Sequence, residues 1–209
     1  FCGLTNLADA ELAVAAGAWA IGLIFWPSSP RRCELQAAAE IAGALRRKAE
    51  IAGVFVNAPL DELAATAEAV QLSLVQLHGD EGPVYCAEAA RRTGAKIIKA
   101  ARVRSRADIQ ALAAFHTDYH LLDSYTPGMP GGTGETFAWE LARAHRGPTR
   151  LILSGGLTPE NVGAAIAGVR PFAVDVASGT ELSPGLKDPA KLEAFAAAVR
   201  AAVPTPVGT

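Results

Sequence analysis

The chain has 209 residues, 50% of them hydrophobic, and a formal net charge of −2 at pH 7. This composition is typical of a single domain with a substantial core, and the near-neutral charge argues against nucleic acid as the main partner. No apolar run approaches the roughly 20 residues of a membrane-spanning helix, which argues against a membrane as a partner. Cys2, Cys33 and Cys86 have no CxxC spacing, which favours a reducing, cytoplasmic location and gives no metal site.

Eight short apolar runs, alternating with helical patterns, predict eight strands. The runs are residues 1–3, 20–25, 51–56, 74–78, 96–101, 119–123, 151–153 and 172–176. Because they are apolar rather than alternating, we expect strands buried on both faces, as in a parallel sheet whose strands are joined by helices. Eight such units in one domain favour an α/β fold with a closed (β/α)8 barrel over an open doubly wound sheet. No G-x-G-x-x-G motif follows the first strand, which argues against a dinucleotide-binding fold.

Helices are predicted between these strands from their caps and breakers. They cover residues 34–48, 59–70, 137–145, 160–169 and 188–203, and three more begin after Asn6, end near Gly94 and begin after Ser105. Asp108, three residues after Ser105, completes a relative of the capping box. The barrel domain is expected to cover residues 1–203, followed by a frayed tail over residues 204–209. Since the first predicted strand is short, we expect further residues before Phe1.

A glycine pair late in the chain predicts an anion site. Gly155 and Gly156 directly follow the seventh strand, where we expect the backbone to take positive, left-handed φ values and to approach a ligand closely. Thr158 and Pro159 then look like the N-cap and first residue of a helix. Backbone N–H groups at such a junction favour phosphate, although an ordinary βα turn explains the pair equally well when it is taken alone. The eighth strand also ends in small residues, Ala177-Ser178-Gly179. Two such loops together match the phosphate site at the last two strands of a barrel.

The active site of a (β/α)8 barrel lies at the carboxyl ends of its strands, where this sequence has few reactive residues. They are Cys2, Asn57, Gln76, His78, Asp123, Asp175 and Ser178, with Arg31 and Arg32 just past the second strand. Asp123 is the strongest candidate, because a carboxylate at the end of an apolar strand is costly to bury without a partner or a task. Cys2 could equally be a small buried hydrophobe. Arg31 could equally be a solvated charge or a planar fork for a carboxylate.

Taken in order, the motifs of this chain resemble the phosphoribosylanthranilate isomerase family of tryptophan biosynthesis. The residues that carry the resemblance are Cys2-Gly3-Leu4-Thr5-Asn6, Phe25-Trp26-Pro27-x-Ser29-Pro30-Arg31, Gly53-Val54-Phe55-Val56-Asn57, Val75-Gln76-Leu77-His78-Gly79, Leu121-Leu122-Asp123, Gly131-Gly132-Thr133-Gly134, Leu153-Ser154-Gly155-Gly156-Leu157-x-Pro159-Glu160-Asn161-Val162, Ala173-Val174-Asp175-Val176-x-Ser178-Gly179 and Gly185-x-Lys187-Asp188. They span nearly the whole chain. Glu135 and Ala138 depart from the pattern, where a lysine and an aspartate are common.

The resemblance implies a cytoplasmic (β/α)8 barrel, monomer or homodimer, that uses no cofactor and no metal. Its small-molecule phosphorylated substrate would be N-(5-phosphoribosyl)anthranilate, and the reaction an Amadori rearrangement to 1-(2-carboxyphenylamino)-1-deoxyribulose 5-phosphate. The family pattern makes Cys2 the general base and Asp123 the general acid, while Arg31 holds the anthranilate carboxylate. Substrate binding would further involve Asp175, and the phosphate would be held by Gly155, Gly156, Ser178 and Gly179.

These roles require shifted pKa values. A neutral Asp123 would protonate the ribose ring oxygen, and a Cys2 thiolate would then remove the proton at ribose C2. Reference thiols titrate near ~8.5 and reference aspartates near ~3.9, so we expect the thiol pKa to move down and the carboxyl pKa up.

Two other functions remain open at this point. The related histidine-pathway isomerase carries out the same rearrangement on a larger bis-phosphate, but such enzymes carry an aspartate at the position of Cys2. A non-catalytic barrel kept as a scaffold would be expected to have lost Cys2 or Asp123, and both residues are present.

Overall fold

The computed structural model describes residues 1–123 and 139–202. Seven parallel strands form one curled sheet in which each strand pairs with the next one along the chain. The strands are β1 (Ala20–Ile24), β2 (Glu50–Phe55), β3 (Leu74–Leu77), β4 (Lys96–Arg102), β5 (Tyr119–Asp123), β6 (Arg150–Ser154) and β7 (Ala173–Val174). The predicted α/β barrel class with parallel strands is confirmed.

Helices connect the strands and cover the outside of the sheet. They are α1 (Leu7–Ala15), α2 (Leu35–Leu45), α3 (Leu60–Val70), α4 (Pro83–Thr93), α5 (Arg106–Ala111), α6 (Val162–Val169) and α7 (Pro189–Ala202), and residues 139–142 are also helical. The predicted cap of α5 is confirmed, since Ser105 and Asp108 form a capping box. The predicted boundary at residue 203 and the tail over residues 204–209 lie outside the described residues.

The strands are apolar throughout because both of their faces are buried. One face lines the interior of the barrel, where residues such as Leu74, Ile98, Leu121 and Ile152 pack against one another. The other face packs on the helices, as Ile97 does. This arrangement is the physical reason why the strand pattern did not alternate.

The first predicted strand, residues 1–3, is not a strand of the sheet but a single bridge between Cys2 and Gly22. On one side, the Gly22 N–H donates to the Phe1 carbonyl at 2.8 Å. On the other side, the Cys2 N–H donates to the Val176 carbonyl at 2.9 Å. This short segment therefore lies between β1 and the end of β7, where too few ladder bonds form for a strand, and the barrel is mostly but not wholly closed.

The segment after β7 contains secondary structure that was not predicted from the sequence. Residues 178–180 form a 3-10 turn, followed by an antiparallel hairpin of β8 (Glu181–Ser183) and β9 (Leu186–Lys187). Gly185 makes the tight turn possible with a φ of +82°. The hairpin folds back along the carboxyl edge of the sheet, because the Gly185 carbonyl accepts a 2.6 Å hydrogen bond from the Thr5 hydroxyl.

Candidate active site

Cys2 is buried at the closure of the barrel, with 8% of its surface exposed. Its sulfur lies against Gly22 of β1, where a Cβ atom added to the glycine would approach Sγ to 2.7 Å. Any larger residue at position 22 would therefore displace the thiol. The sequence motif that begins at Cys2 and the glycine in β1 form one packing unit, although they are far apart along the chain.

The pKa of the Cys2 thiol is raised to about 12, mainly by burial and then by the negative charge of Asp175. The ammonium of Lys187 and the N–H of Gly3 act in the opposite direction. We expected a thiol pKa below its reference value, and the structure gives a raised one. The physical reason is that burial disfavours the thiolate more than the nearby positive charge favours it.

A row of polar side chains follows the carboxyl ends of β5, β6 and β7. Asp123 ends β5 and is the register partner of Ser154 at the end of β6. The Ser154 hydroxyl donates to Oδ2 of Asp175, just past β7, at 2.9 Å. Asp175 in turn acts electrostatically on the Cys2 thiol. The predicted acid, one predicted binding residue and the predicted base therefore lie along the same edge of the sheet.

On its other side, Asp123 faces His78, which follows β3. His78 Nε2 lies 3.4 Å from Asp123 Oδ2, and His78 Nδ1 lies 2.7 Å from Oε1 of Gln76. Because the Gln76 oxygen can only accept, it orients the imidazole with Nδ1 protonated. Nε2 is thereby directed at the carboxyl group of Asp123.

Arg31 lies against the Cys2 segment and is held by Glu181. A Cβ atom added to Gly3 would meet Cδ of Arg31 at 2.8 Å, so the arginine packs directly on this glycine. Nε and Nη2 of Arg31 both donate to the Glu181 carboxylate, each at 2.8 Å in its shorter contact. One edge of the guanidinium is therefore occupied by Glu181. Nη1 has no hydrogen-bond partner among the described residues, so this end of the guanidinium can bind a ligand.

Glu181 is itself buried, with 6% of its surface exposed. Burial acts to raise its carboxyl pKa, but the hydrogen bonds from Arg31 and the charge of Lys187 outweigh it, and the net shift is downward. The carboxylate therefore stays ionised and fixes the orientation of Arg31. No pattern in the sequence pointed to Glu181 as the partner of Arg31. Glu181 lies only a few residues after β7, and the fold brings it next to Arg31.

The two predicted phosphate loops pack against each other. Gly155 and Gly156 have φ values of +90° and +65°, so the predicted left-handed backbone is confirmed there. A side-chain carbon at Gly179 would lie 2.0 Å from the Leu157 carbonyl oxygen, so only glycine allows the two loops to approach this closely. Ser178, beside Gly179, begins the 3-10 turn at the same edge.

The predicted helix start at Thr158 and Pro159 is wrong, because α6 begins at Val162 with Asn161 in the N-cap position. Residues 158–161 form a turn instead, in which the Thr158 carbonyl accepts from the N–H groups of Asn161 and Val162. The Asn161 side chain accepts from the Thr158 N–H and donates to the Gly156 carbonyl. Asn161 thus stabilises the glycine loop, a role that its predicted position inside a helix did not reveal.

Two buried lysines support the strand-end loops from behind. Lys99 of β4 donates to the carbonyls of Leu77 and Gly79 and pairs with Glu81 at 2.9 Å, beneath the loop that carries His78. Lys187 of β9 has 1% of its surface exposed and donates to the Cys2 carbonyl. In the sequence, Lys99 could have been singled out as a lysine inside the apolar run of β4. Lys187 could have been singled out by the Gly185-x-Lys187-Asp188 motif.

A cavity of about 280 Å³ lies inside the barrel, towards the amino ends of its strands. Trp19, Phe172 and Leu74 contribute to its walls, and Cys2 and Gln76 close it from the carboxyl side. Its lining includes neither Asp123 nor Arg31 among the described residues. The cavity therefore lies below the candidate active site and shares Cys2 and Asp175 with it.

The family of this chain follows from its similarity to known proteins. The model of the N-(5'phosphoribosyl)anthranilate (PRA) isomerase family matches residues 1–198. The chain belongs to this isomerase family. A curated isomerase of the family from Citrifermentans bemidjiense is 49% identical over 191 residues, which cover 91% of each chain. Another from Pseudomonas fluorescens is 50% identical over 202 residues, covering 95% of this chain and 93% of the relative.

Solved structures of the isomerase family have the same fold. The Thermotoga maritima phosphoribosyl anthranilate isomerase matches with a TM-score of 0.85 and 41% identity, over 96% of this chain and 97% of the other. A structure of a family isomerase in complex with reduced 1-(o-carboxyphenylamino)-1-deoxyribulose 5-phosphate matches with a TM-score of 0.82 and 38% identity, over 96% of each chain. The sequence resemblance to this family is thereby confirmed.

In the described residues, no helix is both long enough and apolar enough to span a membrane. The Gly131–Gly134 motif, Glu135 and Ala138 lie outside the described residues. The roles of Cys2, Asp123, Arg31, Asp175 and the two loops stay predictions.

Proposed function

We propose that this chain isomerises N-(5-phosphoribosyl)anthranilate to 1-(2-carboxyphenylamino)-1-deoxyribulose 5-phosphate in tryptophan biosynthesis. The observation that carries the proposal is the meeting of Cys2, Arg31 and Asp175 at one rim, with Asp123 two strand ends away. The reaction needs a base, an acid, a group that binds a carboxylate and a site for a phosphate. The thiol, the carboxyl group, the guanidinium and the two glycine loops match these four needs. The substrate has one phosphate, one carboxylate and a ribose between them.

In the proposed mechanism, the Asp123 carboxyl group transfers its proton to the ribose ring oxygen. The bond between that oxygen and C1 breaks, and the nitrogen lone pair forms the protonated Schiff base. The Cys2 thiolate then removes the C2 proton, and the electrons of that bond move to the C1–C2 bond and onto nitrogen. The resulting enol-amine tautomerises to the ketone. A proton is thus lost by Asp123 and gained by Cys2 in each turnover, and both are restored by exchange.

A turnover assay with freshly generated phosphoribosylanthranilate tests this proposal. Loss of the anthranilate-type fluorescence with saturable kinetics is expected. The histidine-pathway substrate, offered in the same assay format at the same enzyme concentration, should not be turned over at a comparable rate. Turnover of that bis-phosphate alone, or of neither compound, would contradict the proposal.

Arg31 is proposed to bind the substrate carboxylate through its free end. Arg31→Ala should raise KM by about 10–150-fold with a smaller effect on kcat, since a hydrogen bond to a charged group contributes roughly 1.5–3 kcal/mol. Arg31→Lys should recover only part of the affinity, because an ammonium lacks the planar fork. Arg32→Ala is the matched control, since Arg32 is half-exposed and pairs only loosely with Glu34 at 3.6 Å. Equal KM values in Arg31→Ala and the parent would refute the role.

The phosphate is proposed to lie between the two glycine loops and to be bound by backbone N–H groups, because residues 154–157 and 177–180 contain no basic side chain. Inorganic phosphate should therefore inhibit competitively with substrate. No competition at high phosphate concentration would count against this site.

Gly179→Ala tests how the two loops depend on each other. The added methyl group would overlap the Leu157 carbonyl, so we expect a raised KM, weaker phosphate inhibition and a free energy of unfolding about 1–3 kcal/mol lower. Gly163→Ala in α6 is the control. Nothing lies within 4 Å of its new methyl group, and alanine favours a helix by about 0.5–1 kcal/mol over glycine. An unchanged KM in Gly179→Ala would show that the close approach of the loops is not needed for binding.

We also propose a cytoplasmic location, supported by three cysteines that are all unpaired. One solved relative is described as monomers made from the dimeric Thermotoga maritima isomerase. For this chain, monomer or homodimer stays the prediction, and light scattering on the purified protein would decide between them.

A further inference from the structure

Lys187 is the largest fully buried side chain in the described part of the protein, with 1% of its surface exposed. It lies on β9, in the short hairpin that follows β7. Its ammonium donates to the Cys2 carbonyl at 2.8 Å and to the Ala177 carbonyl at 2.9 Å, and it lies 3.5 Å from the Glu181 carboxylate. A buried ammonium is costly unless it is paired and has all its hydrogens bonded, and these three acceptors meet that requirement.

Each of the three acceptors belongs to a different part of the candidate site. Cys2 carries the proposed base. Ala177 directly precedes the Ser178–Gly179 loop, which is proposed to bind the phosphate. Glu181 orients Arg31, which is proposed to bind the carboxylate. One ammonium group therefore joins the base, the phosphate loop and the carboxylate anchor, three parts that no other described side chain connects directly.

The ammonium of Lys187 places a positive charge next to Cys2, among several carboxylates. The charged and titratable groups that face it are Glu181, Asp175, Cys2, Arg31 beyond Glu181, and Asp9, whose carboxylate accepts from the backbone N–H of Lys187. Glu181 is shared by Arg31 and Lys187, so one carboxylate balances two cations. The charge of Asp175 acts against a Cys2 thiolate and the charge of Lys187 acts in its favour, so loss of the Lys187 ammonium would leave Asp175 less opposed.

We propose that Lys187 is a positioning residue for the isomerase reaction, which holds Cys2 in register with the phosphate loop and with Arg31 and favours the Cys2 thiolate. The inference rests on the proposed function. A neutral donor in the same place would preserve part of the geometry but none of the charge. Geometry and charge are therefore separable by substitution.

The experiment compares Lys187→Gln, Lys187→Met and Lys187→Arg with the parent chain, and it measures kcat, KM and the pH profile of kcat/KM. Circular dichroism and thermal unfolding check that each variant is folded. Lys191→Met is the matched control. The Lys191 ammonium donates to the backbone carbonyl of Glu181 at 3.0 Å, but it contacts neither Cys2 nor Ala177.

For Lys187→Gln and Lys187→Met we expect kcat/KM at neutral pH to fall by about 10²-fold, as misplacement of a catalytic group typically does. Loss of the positive charge disfavours the thiolate, so the rise of kcat/KM with pH should move to higher pH. Lys187→Arg should keep that rise near its position in the parent while losing some kcat. Lys191→Met should resemble the parent in all of these measurements.

A folded Lys187→Gln variant whose pH profile does not move, or whose kcat/KM stays within a few-fold of the parent, would overturn the proposal. If Lys187→Met does not fold, Lys187→Gln, whose amide can donate to the same carbonyls, gives the result. If neither folds, Lys187 is a residue of the fold alone and the proposal fails. A parent chain without turnover would instead refute the proposed function, so the two failures are distinguishable.

Discussion

Asp123→Asn is expected to lower kcat by about 10²–10⁴-fold while KM changes little, because the amide keeps the shape of the side chain but has no acidic proton to transfer to the ribose ring oxygen. The site around it should persist. Ser154 remains its register partner, and the His78 ring remains oriented by Gln76. The effect should therefore appear in turnover rather than in binding. Steady-state kinetics with generated substrate separate the two.

Asp118→Asn provides the matched control for this exchange. Asp118 precedes the amino end of the same strand, where its carboxylate accepts from the Ile97 N–H at 2.9 Å. The control changes the same atoms at the opposite end of β5 and should leave kcat within a few-fold of the parent. An Asp123→Asn variant as active as the Asp118→Asn control would show that the Asp123 carboxyl group is not the acid.

Cys2→Ser is expected to reduce kcat/KM by a similar factor, about 10²–10⁴-fold, because a hydroxyl at this position is far harder to deprotonate than a thiol. Cys86→Ser makes the same atom exchange on α4 and should leave activity near that of the parent. Cys2→Asp should retain some activity, since a carboxylate can also accept the C2 proton. A Cys2→Ser variant within a few-fold of the parent would exclude the thiol as the base.

The pH dependence of the parent follows from the raised thiol pKa. With a pKa of about 12, the Cys2 thiolate is a minor species at neutral pH, and its fraction increases as the pH rises. The proposed base is the deprotonated form, so kcat/KM should increase with pH until loss of the acidic proton from the acid opposes it. The rise should be absent in Cys2→Asp, whose base is already ionised. An identical rise in both proteins would assign it to a group other than the thiol.

Many features of this protein could be predicted from the sequence, because they depend on local chemistry. Apolar runs such as residues 151–153 predicted parallel, doubly buried strands, since only such strands are apolar on both faces. Gly155 and Gly156 predicted left-handed backbone, which glycine adopts without strain. Ser105 and Asp108 predicted a cap that the structure confirms. The ordered motifs also identified the family, because many short patterns in one order rarely coincide by chance.

Other features were decided only by the tertiary structure. The helix expected at Thr158 begins at Val162, because Asn161 binds back to the glycine loop and makes residues 158–161 a turn. The expected strand at residues 1–3 is a bridge between β1 and the end of β7, held by only a few backbone hydrogen bonds. Such outcomes depend on partners that are distant in the chain.

The electrostatics of the site show the same division most clearly. The sequence by itself determined the reactive groups, a thiol at Cys2, a carboxyl group at Asp123 and a guanidinium at Arg31. Only the tertiary structure decided that Glu181 occupies one edge of Arg31, that Lys187 joins Cys2 to Ala177, and that burial raises the thiol pKa instead of lowering it. Covalent identity is local, whereas a pKa and an ion pair depend on burial and on charges that folding brings together from remote positions.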